Sequence, residues 1–527
     1  MIVDLNDAAA ADEPLRCDVA IIGAGIAGSI MACELSTKGQ RVVVLESGGL
    51  TQHDETHPLN RVVQTAQRYD GAERGRCRCL GGTSSRWGGA LIPFQAGDLE
   101  DSRSTGSQAP WPIRLEELDP YVARAEAIFD LPPGTYDAPA AGLDAGTAQA
   151  EGSFRLRAAK WPSFRNRNVA TIFEAQMRSP EGPMVWLNAT LTAITLAENG
   201  RASRLCARSP AGSTLTLLPT EVLLAGGAIE STRLLLKLDA DYDRRLSRSS
   251  DLIGRYFHDH LSAAVARIAV RDRKKLDRLT GFRFQGSGMR NVRFEVDGAR
   301  GRNQGLPGAF VHIAFSASAP NGFDGLRGIY RALQRGGLPE SRDVSLLARN
   351  AGWLARAAWK RFVERRVLPP DDVEYETHVV TEQVPVASNR ITLSDRERDA
   401  FGVPLAEIEW RVSPRDIDNS QAVLDAFVKY WCAMPLAELG TLEVYDRSRW
   451  SAALAEGGGI YHPGGSLRMA ASSAEGVVDK DLRVFGVPNL RVVSTATFPS
   501  GGSANPTMML ILFALRAADQ IAAASAA

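Results

Sequence analysis

Charge of one sign is what this chain lacks most plainly. Its 527 residues carry 61 Lys and Arg against 61 Asp and Glu, a formal net charge of zero. That balance removes the electrostatic case for nucleic acid or an acidic membrane surface as partner. Cysteine is scarce too. Cys17, Cys33, Cys77, Cys79, Cys206 and Cys432 are scattered, and the one close pair is C-x-C. Such spacing predicts neither a disulfide framework nor a zinc site, and reduced thiols suit the cytoplasm. Long apolar runs are missing as well. The best, "MMLILFAL" at 508–515, falls far below the ~20 residues of a membrane span and reads as a buried helix. The opening "MIVDLNDAAAADEPLR" is acidic, with no basic segment followed by an apolar one, so no signal peptide is expected. These absences predict a soluble cytoplasmic protein without a metal centre. The length and a hydrophobic content of 44% point to two domains with sizeable cores.

What is present begins at Cys17. An apolar strand, Val19 to Ile22, runs into Gly23-x-Gly25-x-x-Gly28, then a helix-like stretch, then a second apolar strand from Val42 to Leu45 that ends at Glu46. Gly23 permits a tight turn, Gly25 lets a pyrophosphate approach a helix N-terminus, and Gly28 lets helix and strand pack closely. Glu46 stands eighteen residues past Gly28, where a carboxylate can accept bonds from ribose hydroxyls and repels a 2′-phosphate. Strand, glycines, helix, strand and acid in that order predict a Rossmann-like dinucleotide-binding unit taking FAD or NAD.

A second element, "RCLGGTSSRWGGALIPF" (78–94), separates those two. Gly81-Gly82-Thr83-Ser84 can form a backbone nest with two hydroxyls. Trp87 and Gly88-Gly89 supply a flat wall and a close-approach loop. A flavin buried across a domain seam needs such an element, and NAD enzymes have no standard use for it. In these residues the chain resembles the glucose–methanol–choline (GMC) family of FAD oxidoreductases. The G-G-T-S-x-x-W-G-G form is similar to the sugar-oxidising branch that includes pyranose oxidase and fructose dehydrogenase. "VWLNATLTAITL" (185–196) and "EVLLAGGAIESTRLLLKL" (221–238) resemble the family's second FAD element. There the backbone near Leu191 would meet adenine, and Ala225-Gly226-Gly227 would close around the cofactor. "LIGRYFHDHLS" (252–262) resembles a third signature, and "YHPGGSLRM" with the stretch 476–521 resembles the C-terminal block. Five elements thus occur in the family's order, while 262–380 shows little likeness.

The resemblance places the family's catalytic histidine at His462, one of only seven histidines, and its partner at Asn505 in "GGSANPT". Oxidising an alcohol removes a hydroxyl proton and a carbinol hydride. Histidine is the natural proton acceptor near neutral pH, and flavin the hydride acceptor. Pro463 would fix the backbone after the base, and Gly464-Gly465 would keep bulk low for substrate. Asn505 can donate to a developing alkoxide and accept from a hydroxyl but cannot be the base. The run Asn505-Pro506-Thr507 also reads as a helix start, with Asn as N-cap and Pro at the first position. That helix would point its positive end at the flavin ring. Ser494 stands where many family members have Asp, and with Thr495 it is expected on the pyrophosphate or ribityl side. Arg86 replaces the histidine that pyranose oxidases join to flavin, so the resemblance implies FAD held non-covalently.

Other residues carry weaker signals. His258 and His260 flank Asp259 in "FHDH"; His260 reads as structural, and no third metal ligand is evident. His53, His57, His312 and His378 have no motif around them. Strand-like stretches recur from 263 to 450 and predict a mostly antiparallel sheet. Within them "SLLARNAGWLARAAWKRFVERRV" (345–367) reads as one amphipathic basic helix, either packed on the sheet and solvated or docking a membrane or redox partner. Stretch 134–150 reads as a loop.

The expected fold is therefore α/β (α+β overall). An FAD-binding Rossmann-like domain is assigned to 1–262 and 451–527, with 111–184 partly on the substrate side. A substrate-binding domain is assigned to 263–450. The expected reaction is oxidation of an alcohol, a hydroxyl of a sugar, glycoside or polyol, to a carbonyl, with oxygen or another acceptor taking the electrons. Glu382 and Gln383 are candidate substrate contacts. The alternatives are a non-sugar alcohol, a flavin-containing lyase on the same scaffold, an NAD-linked dehydrogenase, and a nucleotide-binding regulator without turnover.

Overall fold

Glycine follows each apolar run near the N-terminus closely enough that the chain must turn there, and the first layer is built on those turns. The computed structural model describes every residue except 9–12, 101–109, 145–151, 249, 318, 335–336, 434, 457–458 and 527. The second half of the 134–150 loop therefore lies outside the described residues. Strand β1 (Leu15–Ile22) runs parallel to β2 (Val42–Leu45), with Val19 opposite Val42 and Ile22 opposite Leu45. Between them α1 (Ile26–Thr37) is apolar nearly all round and buried continuously from Ala27 to Cys33, as a crossover helix under other elements must be.

Strand β3 (Phe154–Trp161) departs to a second sheet, and β4 (Met184–Leu187) returns to lie parallel to β2. Strand β5 (Thr214–Leu224) lies parallel on the other side of β1 and leads into α2 (Gly227–Asp241). The short strands Ile2–Asp4 and Leu490–Val492 join in parallel. The pair Thr190–Leu196 and Ala202–Arg208 extends one edge antiparallel. The carboxyl ends of β1, β2 and β5 are Ile22, Leu45 and Leu224, so Gly23, Glu46 and Ala225 emerge together at the edge where open α/β sheets bind ligands.

The second sheet is antiparallel throughout. Its strands include β6 (His260–Val270), β7 (Gly288–Val296) and β8 (Ala309–Ser316). Three helices follow β8: α3 (Gly322–Gln334), α4 (Ser341–Arg349) and α5 (Ala351–Phe362). Strand β9 (Glu374–Glu382) then inserts between β8 and β6, and β3 pairs with β7. Register sets Arg157 on β3 opposite Arg293 on β7, and His312 on β8 opposite His378 on β9. The single helix expected over 345–367 is two, because the chain breaks at Asn350, whose side-chain amide donates to the Leu346 carbonyl.

The last helix, α6 (Thr507–Ala526), contains "MMLILFAL" and is long and apolar enough by composition to cross a membrane. Met508, Ile511, Leu512, Ala514, Leu515 and Ala518 are all buried in the core of the first layer.

Candidate active site

Three glycine turns converge at the edge of the first layer. A Cβ on Gly23 would stand 2.7 Å from the Ala225 carbonyl oxygen, and one on Gly82 would stand 2.9 Å from the Gly25 Cα. One on Gly28 would stand 1.9 Å from the Gly23 carbonyl oxygen. The segments 23–28, 81–84 and 225–227, remote in sequence, thus touch backbone to backbone. Gly25 itself has nothing within 4 Å of its absent Cβ, and α1, which Gly25 caps, has no side-chain cap. An uncapped helix N-terminus beside open glycine backbone fits a dinucleotide pyrophosphate.

The other predicted cofactor residues fall around this edge with more varied roles. Glu46 is buried; one carboxylate oxygen accepts from Ala24 N at 2.8 Å and the other from Gly48 N at 2.9 Å. It braces the glycine turn; the oxygen on Gly48 N also accepts from the Ser47 hydroxyl, and the oxygen on Ala24 N keeps a second lone pair for a ribose hydroxyl. Burial holds its carboxyl above the ordinary range. Ser84 corrects the expectation of a nest with two hydroxyls. It is fully buried, donates to the Gly81 carbonyl at 2.6 Å and accepts from Val169 N at 3.1 Å, so its hydroxyl shapes the turn. Thr83 accepts from Cys77 N, Trp87 donates its indole N–H to Arg167 O, and Gly88 lies against the Trp161 ring. Arg86 is occupied with the carbonyls of Gln52, Asp54 and Glu55. Leu191 is buried in the first-layer core, and Gly226 caps α2. Ser494 caps a short turn by accepting from Ala496 N, which directs its hydroxyl to backbone. Thr495 donates to the Pro463 carbonyl at 2.6 Å and so anchors the His462 loop.

That loop is stitched to the start of β6. His258 and Gly464 exchange both backbone bonds, at 3.1 and 2.8 Å, and Ile460 N donates to His260 O. Asp259 is the hub. It accepts from His462 N at 2.8 Å, His260 N at 2.6 Å and the Tyr69 hydroxyl at 2.6 Å. Burial raises its carboxyl to about 6. Asp259, His260 and His462 bring ligand-type atoms within 4.8 Å of one another. Both Asp259 oxygens already accept bonds from the protein, which makes the cluster a clamp on the loop. Gly464 and Gly465 are small for a reason other than substrate entry. A Cβ on Gly465, at φ +80°, would stand 2.3 Å from the His258 ring and from the Tyr256 carbonyl.

His462 itself is half-buried, with Nδ1 enclosed and without a partner. Burial, then the neighbouring His260 and the Arg293 charge, push its pKa down to about 3, so the ring is neutral at physiological pH. The His260 ring stands edge-on at 5.6 Å and bonds through Nε2 to the Gly502 carbonyl at 3.0 Å.

Asn505 is held from the second sheet. Its Oδ1 accepts from Arg293 Nη1 at 2.7 Å. This bond corrects the N-cap reading, since the carboxamide oxygen serves Arg293; the first helical bond runs from Leu510 N to the carbonyl of Pro506, just ahead of Thr507. Arg293 also forks onto Glu295, which in turn binds Arg157 at 2.7 Å, all three side chains buried. The preceding loop is fixed as well: Gly502 N donates to Glu382, and Ser503 N to Asp98. Glu382 and Gln383, the candidate substrate contacts, are both tied to the protein. Glu382 accepts from the backbone of Gly308 and Gly502, and burial raises its carboxyl to about 7. Gln383 is spent on Asp259 N, Trp410 and the Arg411 carbonyl.

Arg293, Glu295, His312 and His378 escaped the sequence reading. Arg293 and His312 lie on adjacent strands in register, and His312 stacks on His378 at 5.0 Å. His312 Nδ1 is buried without a partner, and Arg293 lies over the Phe310 ring at 4.1 Å. The available signal was Arg-x-Glu inside the apolar strand "NVRFEV", two charges on one strand face.

A dinucleotide cradle together with a half-buried neutral histidine and an oriented carboxamide suits an oxidoreductase. Comparison with known proteins narrows the class. Residues 385–514 match the family model described as GMC oxidoreductase, and residues 21–61 match an NAD(P)-binding Rossmann-like domain. The 2-methyl-1,2-propanediol dehydrogenase of Mycolicibacterium austroafricanum is 23% identical, over 96% of this chain and 95% of its own length. The fructose dehydrogenase large subunit of Gluconobacter japonicus is 21% identical over 97% and 98%. Paromamine 6'-oxidase of Streptomyces fradiae is 24% identical over 97% and 92%. The crystal structure of pyridoxine 4-oxidase from Mesorbium loti shares the fold, with TM-score 0.59 and 16% identity over 96% of this chain and 99% of that one. The chain is thus an oxidoreductase that carries a GMC oxidoreductase domain and a Rossmann-like domain and has alcohol and sugar oxidoreductases of the GMC family among its homologues.

Proposed function

We propose that this chain oxidises a hydroxyl of a sugar, glycoside or polyol to a carbonyl, with FAD bound non-covalently and His462 as the base. The observation that carries the reading is the half-buried, neutral His462, unpartnered at Nδ1, its loop clamped by Asp259 and its ring within the influence of the Arg293 cation that binds Asn505. Gly23, Gly25, Gly28 and Glu46, with the turns at 82–84 and 225–226, would hold the dinucleotide, which supplies the acceptor for the carbinol hydride. His462, neutral in the folded protein, takes the hydroxyl proton on a ring nitrogen. Asn505, its oxygen engaged by the Arg293 cation, presents its amide N–H groups as donors to the oxygen that loses the proton. His312 and His378, both held neutral by burial, offer donor and acceptor atoms to further hydroxyls. Electrons then pass to oxygen or another acceptor. Arg86, tied to three carbonyls, offers no covalent link, so acid precipitation should release all the flavin.

The test is anaerobic flavin bleaching by a panel of sugars, aminosugars and glycosides, on the native protein and on His462→Ala. The native protein should be yellow and bleach with at least one member. The variant should stay yellow and bleach about 10²- to 10⁴-fold more slowly, the usual worth of a positioned base. Equal bleaching by the variant would remove the assignment. A yellow native protein that turns over substrate without bleaching would favour a lyase, and a colourless one an NAD-linked enzyme.

A further inference from the structure

Of the helices that follow β8, α5 leaves an apolar seam exposed. On α5 and its C-cap Val363, the residues Ala355, Ala358, Trp359, Phe362 and Val363 recur at i, i+3, i+4, i+7 and i+8 and all face solvent. Trp359 is 65% exposed, Phe362 77% and Val363 57%. The inward stripe of the same helix is Trp353, Ala357, Lys360 and Arg361, with Arg361 lying over the Phe284 ring at 3.6 Å. A Trp-Phe-Val seam exposed beside the exposed Arg356 and Arg365 presents an interaction surface. Leu333, Leu338 and Val344, on and between α3 and α4, are exposed as well. The excursion is fixed in place: the Gln334 amide donates to the carbonyls of Ser84 and Trp87 at 3.2 Å, and Tyr330 stacks on Phe164 at 4.4 Å.

Charge identifies the occupant. Residues 322–366 hold ten Lys or Arg against four Asp or Glu, an excess of six positive charges on a chain whose total is zero. The overall neutrality that argued against an acidic surface conceals this local asymmetry. Arg327, Arg342, Arg349 and Arg365 make no ion pair among the described residues. A second copy of the chain, meeting this face by a two-fold axis, would press the basic patch against itself. A seam of Trp, Phe and Val on a helix rich in arginine instead suits the headgroup–acyl boundary of an anionic bilayer. We propose that α5, with the loop and helix ends around it, docks this enzyme peripherally on an anionic lipid surface, with Trp359, Phe362 and Val363 inserted.

The test uses the full-length holoenzyme and sedimentation with vesicles, either phosphatidylcholine alone or an equal mixture with phosphatidylglycerol. The enzyme should bind the anionic vesicles and release at high salt, and it should bind the neutral ones at least about tenfold more weakly. Trp359→Ser/Phe362→Ser should lose about tenfold or more of that binding, with flavin content and turnover in solution unchanged. No binding to anionic vesicles, or equal binding by the double variant, overturns the proposal. So does a native dimer, seen by light scattering, that the double variant converts to monomer, because a second copy would then cover the face. Retention on polyglutamate that matches vesicle binding and ignores the double substitution likewise overturns it, showing charge without insertion.

Discussion

Replacing Arg293 by Lys tests whether the second sheet sets the geometry of Asn505. Arg293 makes two kinds of contact at once: Nη1 to Asn505 Oδ1 at 2.7 Å, and Nε and Nη2 to one oxygen of Glu295. Removing the cation altogether would weaken a buried network, where loss of one partner costs about 3–5 kcal/mol, and the protein could fail for that reason alone. Lysine keeps the charge, and Glu295 retains Arg157 on its other oxygen. A single ammonium cannot fork to both partners, so the bond to Asn505 is the one surrendered. A hydrogen bond from a charged donor is worth about 1.5–3 kcal/mol. If Asn505 is oriented by that bond throughout the reaction, reduction slows by about 10- to 150-fold at 1.36 kcal/mol per tenfold. The assay is anaerobic stopped-flow reduction at saturating substrate, on Arg293→Lys, Asn505→Ala and the double variant. Because Arg293 acts through Asn505, the double variant should be no slower than Asn505→Ala. A native rate for Arg293→Lys, or effects that multiply in full, would refute the reasoning.

The pH dependence has two parts. Since His462 stays neutral until pH falls to about 3, the acid limb of the flavin-reduction profile should lie well below 6.5; a limb near 6.5 would contradict the buried setting. For stability, His312 is held near 3 and His260 near 4, so between pH 6.5 and those values the unfolded chain binds protons that the folded one refuses. Stability is full above 6.5 and falls as pH drops, and His312→Phe should flatten the slope by about 1.4 kcal/mol per pH unit in denaturant melts at pH 4–6. An unchanged slope would show that His312 titrates normally. Glu382, raised to about 7, acts with the opposite sign, losing stability as pH rises from 4.5 through 7. Gly28→Ala places a methyl 1.9 Å from the Gly23 carbonyl oxygen, so the purified variant should lack flavin absorbance; full flavin content would mean that the turn yields.

Much of this site is readable in one dimension where the backbone itself demands a residue type. The converging turns at Gly23, Gly82 and Ala225 needed glycine or alanine for close approach, and their order along the chain pointed to the fold. His462 stood out because a scarce residue sat among glycine and proline. Arg293 and Glu295 did not stand out, because strand alternation assigns a side chain to a face without saying what that face will meet. Ser84 was misread for a related reason. A polar side chain looks the same in sequence whether it will bind a ligand or satisfy buried backbone, and only its neighbours in space decide.

The amino-acid order alone determined the parallel α/β layer and the nucleotide-type turns, since each rests on local backbone constraints or on spacing along one segment, while His462 and Asn505 were singled out as a pair by family resemblance. The tertiary structure alone decided that Arg157, Glu295 and Arg293 form one buried chain ending on Asn505, that Asp259 clamps the loop of His462, and that α5 turns its apolar seam outward. These are contacts between strands and loops far apart in sequence, and their energies depend on burial and distance, which no single segment carries.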